Sequence, residues 1–131
     1  MEPVAFNMDN LVLQRYETTN ELRFRGFYNE AGEPNDVNSS PALMWFYRSG
    51  RVETRKHYVL GLLHDTATEP AITHFSSKGV ETGRQHYLHG KSVPAPHIAV
   101  LFGKTVAVYP GHGYVVVPTI SNLSINNPTN K

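Results

Sequence analysis

The amino-acid sequence predicts an all-β chain of tandem β-hairpin repeats, each of about 29 residues, forming an open meandering sheet with a C-terminal β cap. Three observations predict it. The segment Pro41 to Gly61 lies over Pro70 to Gly90 without a gap. Runs rich in aromatic and β-branched residues alternate with Gly, Pro, Asn and Ser. No stretch sustains the 3.6-residue apolar period of a helix.

The self-match is specific. Ala42 meets Ala71, Leu43 meets Ile72, Phe46 meets Phe75 and Gly50 meets Gly79. Arg55 meets Arg84, His57 meets His86 and Tyr58 meets Tyr87. A weaker copy lies upstream, anchored on Tyr28: Arg25 precedes it as Arg55 precedes Tyr58, and Asn20 takes the place of the glycine. Asn and Gly both tolerate a positive φ, so this position is expected to be a left-handed turn residue in all three copies. In this alignment Tyr16 falls where the later copies carry Phe46 and Phe75.

Each copy reads as a hairpin. The first strand is of the A-L-M-W-F-Y type, the turn lies at Gly50 or Gly79, and the second strand is of the V-E-T-R-K-H-Y type. The segments 33–40 and 65–69 read as polar loops. Beyond Gly90 the repeat decays. Ile98–Phe102, Thr105–Tyr109 and Tyr114–Ile120 read as three further strands, with a tight turn at Gly103-Lys104 and a break at Pro110–Gly113. The expected organisation is a single domain over 1–131: hairpin repeats over 11–94, a cap over 95–121, and a mobile tail over 122–131.

Composition narrows function. The net charge is +1, which gives no overall basic footprint for nucleic acid. There is no cysteine, hence no disulfide or thiolate metal site, as suits a reducing cytoplasm. The N-terminus lacks a signal-peptide pattern, and the apolar runs are too short to span a bilayer. A cytoplasmic chain with no membrane partner is expected.

The segment Tyr58-Val59-Leu60-Gly61-Leu62-Leu63-His64-Asp65, followed by Glu69-Pro70-Ala71-Ile72, resembles the MORN-like repeat of the bacterial and phage toxin–antitoxin type. That pattern runs tyrosine, G-x-L-H, a short polar loop, then G-P-A and a strand. The resemblance covers residues 11 to 94. The sequence departs from it at Ser40 and Glu69, where the pattern has glycine. The histidine is present only as His64, with Asn35 and Val93 near the corresponding places. The resemblance implies an open sheet of successive hairpins and a binding or scaffolding role; some family members are antitoxins.

Candidate binding residues fall in two groups. Arg25, Arg55 and Arg84 recur at one register and would line one face, either as a basic stripe for an acidic partner or as packing residues. In the packing reading each arginine meets a loop carboxylate such as Asp65 or Glu69, or stacks on an aromatic ring. Trp45 and Tyr47 alternate in direction with Phe46 and become His74 and Ser76 in the next copy. A large aromatic that the repeat does not demand is a candidate anchor for a partner, so Trp45, Tyr47 and His74 join the arginines as expected partner-binding residues. The tyrosines Tyr28, Tyr58 and Tyr87 read as core.

No catalytic residue, metal or cofactor is expected. His74-Phe75-Ser76 is a lone H-x-S, no G-x-S-x-G occurs, and Gly111-His112-Gly113 lacks the rest of a phosphate loop. The expectation is a protein-binding repeat module, an inhibitor or antitoxin-like or anti-defence protein of bacterial or phage origin. Two alternatives stay open: a structural or virion assembly component, which would self-associate into a homo-oligomer, and a small hydrolase using His57, His64 or His86.

Overall fold

The structure is a computed structural model and describes residues 10–117. Twelve strands and no α-helix occur among the described residues. The chain divides into two compact units, Met1–Thr66 with Pro70–Ser92, and Ala67–Glu69 with Val93–Lys131.

The first unit carries the repeats. Its strands are β1 (Leu11–Arg15), β2 (Leu22–Phe27), β3 (Leu43–Phe46), β4 (Val52–Lys56), β5 (Tyr58–Val59), β6 (Leu62–Leu63), β7 (Ile72–Phe75) and β8 (Glu81–Leu88), followed by β9 (Lys91–Val93). The main sheet has the order β1-β2-β3-β4-β7-β8-β9, while β5 and β6 form a two-stranded ribbon of their own. Three antiparallel hairpins, β1–β2, β3–β4 and β7–β8, therefore follow one another in chain order. Each carries one extra residue in its second strand, because the register shifts at Gln14/Arg15, Trp45/Phe46 and His74/Phe75.

The turns show why the pattern repeats. The Tyr47 amide donates to the Arg51 carbonyl at 2.9 Å, and the Ser76 amide donates to Val80 at 2.8 Å. Gly50 and Gly79 close these turns with φ of 94° and 88°, and Asn20 takes the same role with φ of 63°. A left-handed residue is required there, which is why Asn substitutes for Gly in the first copy.

That first turn also corrects the alignment. The Asn20 amide bonds the Tyr16 carbonyl, as Gly50 bonds Tyr47 and Gly79 bonds Ser76. Tyr16 is thus the counterpart of Tyr47 and Ser76, not of Phe46 and Phe75. The first turn is one residue longer, from Tyr16 to Asn20 against Tyr47 to Gly50, and anchoring on Tyr28 hides this.

Between successive hairpins the chain is held by a carboxylate. Asp36 Oδ1 accepts from the Ala42 amide at 2.7 Å and the Tyr58 amide at 3.0 Å. Its Oδ2 accepts from His57 Nδ1 at 2.6 Å. The next copy does the same: Asp65 Oδ1 takes the Ala71 amide at 2.7 Å and the Tyr87 amide at 3.0 Å, and Oδ2 takes His86 Nδ1 at 2.7 Å. An ionised carboxylate only accepts, so Nδ1 carries the ring proton in both histidines. The side chains of His57 and Asp65 are 1 % and 2 % exposed, so one partner of each pair is closed to water.

Core packing gathers on one face. Phe24, Ala42 and Leu43 are buried together, and Tyr28, Trp45 and Tyr58 pack against them. Burial raises the Tyr58 phenol above its ordinary value, and the neighbouring Tyr28 and Tyr87 add to this.

The second unit holds β10 (His97–Leu101), β11 (Lys104–Tyr109) and β12 (Gly113–Val116), a meander in that order. Val106, Ala107 and Tyr109 are buried. The turn between β10 and β11 is Phe102-Gly103, with φ of 52° and 78°, rather than Gly103-Lys104. Two successive positive φ values give the turn whose twist matches a hairpin. The end of the expected last strand, beyond Val117, and the tail over 122–131 lie outside the described residues.

Asp65→Ala strips acceptors from two backbone amides and from His86. Leaving such donors buried and unmatched is expected to cost roughly 3–5 kcal/mol. Asp65→Asn keeps one acceptor oxygen for both amides and is expected to cost less than half as much. Urea unfolding curves of the two variants check this; equal midpoints would show that the amides find other partners.

Candidate binding face

Direct cross-strand partners share a face, so the register resolves the sheet into rows. One row runs Leu13–Arg25–Met44–Arg55–Thr73–Arg84. The adjacent row, on the opposite face, runs Gln14–Phe24–Trp45–Thr54–His74–Gly83. The arginines thus stand in one line, as the repeat requires, and Trp45 and His74 stand together on the other side.

The three arginines differ in surroundings. Arg25 donates to the Pro41 carbonyl at 2.8 Å and lies 4.5 Å from the Phe27 ring centre. Burial lowers its pKa, partly offset by the field of Asp36. Arg55 lies over the Phe75 ring at 5.1 Å. Arg84 is exposed and grips Glu81 through Nε at 2.5 Å and Nη2 at 2.9 Å. The Glu81 carboxyl is held below its usual range by that contact. Two arginines therefore stack on phenylalanines, and the third is paired within its own strand.

Tyr47 is tied down. Its hydroxyl donates to the Phe75 carbonyl at 2.8 Å, as that of Tyr16 donates to Phe46 at 2.5 Å. This residue recurs after all; each tyrosine links its hairpin to the first strand of the next. The longer first turn concealed the recurrence.

Trp45, Thr54 and His74 line a shallow pocket of about 240 Å³ together with Glu53 and Lys56. The Lys56 ammonium sits 5.2 Å from the centre of the Trp45 ring. The Phe24 and Trp45 ring centres are 5.1 Å apart, so the indole is seated on the core by one flank. His74 Nδ1 and the Thr54 hydroxyl share a hydrogen bond of 3.1 Å. Across the row, Gly83 offers no side chain and leaves the His74 ring uncovered on that side. The site combines an aromatic platform, a cation, a hydroxyl and an imidazole. Glu53, Thr54 and Lys56 were not singled out in the sequence. The signal for them was their place on β4, paired with the strand that holds Trp45.

The histidines of the hydrolase alternative take other positions. His57 and His86 hold the inter-hairpin aspartates. His64 lies against His89, with ring centres 4.4 Å apart and planes tilted by 46°, and its Nδ1 is buried without a hydrogen-bond partner. No group of three or more His, Asp or Glu able to hold a metal occurs among the described residues. No helix among them is long and apolar enough to cross a membrane.

No protein-family model, curated protein or solved structure matches this chain.

His64 generates a pH dependence. Burial, and then His89, lower its pKa from the ordinary value of 6.5, against weaker raising effects from Tyr87 and Asp65. The unfolded chain therefore binds a proton here before the folded chain does. Stability from this residue is present above about pH 6.5 and is lost as pH falls below it. Thermal midpoints across this range are expected to fall less steeply in His64→Gln than in the parent; parallel curves would show that His64 titrates alike in both states.

Proposed function

We propose that this chain is a protein-binding hairpin-repeat module of the MORN-like type, and that it recognises its partner with the Trp45–Thr54–His74 row. One observation carries the reading. The arginine row repeats through all three hairpins, whereas this row repeats nothing: a shift of one copy turns Trp45 into His74 and Thr54 into Gly83. Residues that a repeat uses for packing recur with it, and those that break it are free to serve recognition. A half-buried Trp is among the residue types enriched at the centre of interfaces, where Lys56 and Glu53 would belong to the polar rim. Small size and an open repeat sheet suit an inhibitor or antitoxin-like protein of bacterial or phage origin, acting in the cytoplasm without a cofactor.

A second reading, a structural or virion assembly component, draws on the C-terminal meander. Ile98 and Val100 on its edge strand are 66 % and 73 % exposed, and Phe102 at the turn is 92 % exposed. An apolar edge strand with no proline and no fixed charge invites pairing with another strand.

The readings separate experimentally. Lys56→Glu reverses the half-buried charge beside Trp45, and Trp45→Ala removes the platform. A partner captured by the parent is expected to bind the Trp45→Ala variant about 2 kcal/mol or more weaker by calorimetry. Lys56→Glu is expected to weaken binding as well, while melting as the parent does. Unchanged affinity in both variants would remove this face. The second reading instead expects mass to rise with concentration in sedimentation, and Val100→Lys to abolish that rise.

A further inference from the structure

On the opposite face, at the β1 edge, a pocket of about 310 Å³ has a different character. Leu11, Leu13, Phe27 and Val37 form its walls, and Arg25 is the one charged residue lining it. Pockets of this size, apolar with a single charged group, are the usual form of small-molecule sites.

Arg25 is incompletely matched. A guanidinium has five N–H donors. Here one bond goes to the Pro41 carbonyl, and Nε is buried without a partner. No carboxylate lies within ion-pair distance of it among the described residues. The repeat differs in sequence beside this pocket. One copy further on, the position of Ser40 is taken by Glu69, so the first copy has a hydroxyl where the next has a carboxylate. The rim is a tight turn. Asn38 and Ser39 both adopt positive φ, 50° and 72°, between Val37 and Ser40, which bond each other across it.

We infer that this pocket binds a small aliphatic monocarboxylate, its chain lying against Leu11, Leu13 and Val37 and its carboxylate on Arg25. The ligand carboxylate would lie beside Ser40, at the position where the next copy carries Glu69. A planar guanidinium holds a carboxylate through two parallel hydrogen bonds, and the apolar walls take the aliphatic chain. The site does not rest on the Trp45 row, and either can fail without the other.

Hexanoate and hexan-1-ol are the probes, titrated at neutral pH into the full chain with amide resonances recorded. Hexanoate is expected to give saturable shifts at residues 11–13, 25–27 and 37–40, with hexan-1-ol at least about tenfold weaker. Arg25→Gln is expected to remove that preference. Because Arg25 also holds Pro41, Ser40→Glu serves as the second variant. It restores the carboxylate of the later copy and is expected to block hexanoate while keeping or raising the thermal midpoint. Equal binding of the alcohol, hexanoate binding undiminished in Ser40→Glu, or no saturable shift with hexanoate would each overturn the assignment.

Discussion

The aspartate between hairpins is the constraint on which the repeat unit depends. A β-hairpin satisfies its own backbone, but the strand that leaves it must turn and start the next one. At the base of the hairpin that follows, the amides of Ala42, before β3, and Tyr58, after β4, both point to one carboxylate. Asp36 accepts both through one oxygen and takes His57 through the other. Asp65 repeats the arrangement with Ala71, Tyr87 and His86. A buried carboxylate is costly unless its lone pairs are used, and here the protein supplies the donors. The gain is geometric as much as energetic, since the corner is fixed and the next hairpin begins in register.

From that register follows the division of labour between the two faces. Once every hairpin starts at the same phase, residues one repeat apart fall in one row. Arg25, Arg55 and Arg84 line up whether or not anything binds them. Their individual surroundings then differ, from the half-buried Arg25 stacked on Phe27 to the exposed Arg84 held by Glu81. Packing and binding are thus not alternatives for the ladder as a whole. Arg25 and Arg55 stack on phenylalanines, Arg84 pairs with Glu81, and Arg25, at the end of the array, keeps Nε without a hydrogen-bond partner.

The non-repeating row is where the proposed recognition surface lies. Trp45 is supported from one side by Phe24 and crowned by Lys56, which limits its rotamers. An anchor already held in place loses less entropy on binding than a free one. The same support makes Trp45 contribute to folding, so its two roles are coupled through a single side chain.

The sequence by itself determined the hairpins and the turn residues, because strand alternation and left-handed turns depend on neighbours a few residues apart. Gly50, Gly79 and Asn20 were legible for that reason, as was the common line of the arginines. Tertiary structure alone decided what those residues touch. Asp36 and Asp65 were within reach, since carrying the match five residues upstream of Pro41 pairs them. Their role was not, because it depends on amides that only chain reversal brings together. Tyr47 was read as idiosyncratic because one extra residue in the first turn displaced Tyr16 from it. The pocket at Arg25 left only a faint trace, Ser40 against Glu69. A cavity is a property of surfaces brought together across the sheet, and no local rule of sequence encodes it.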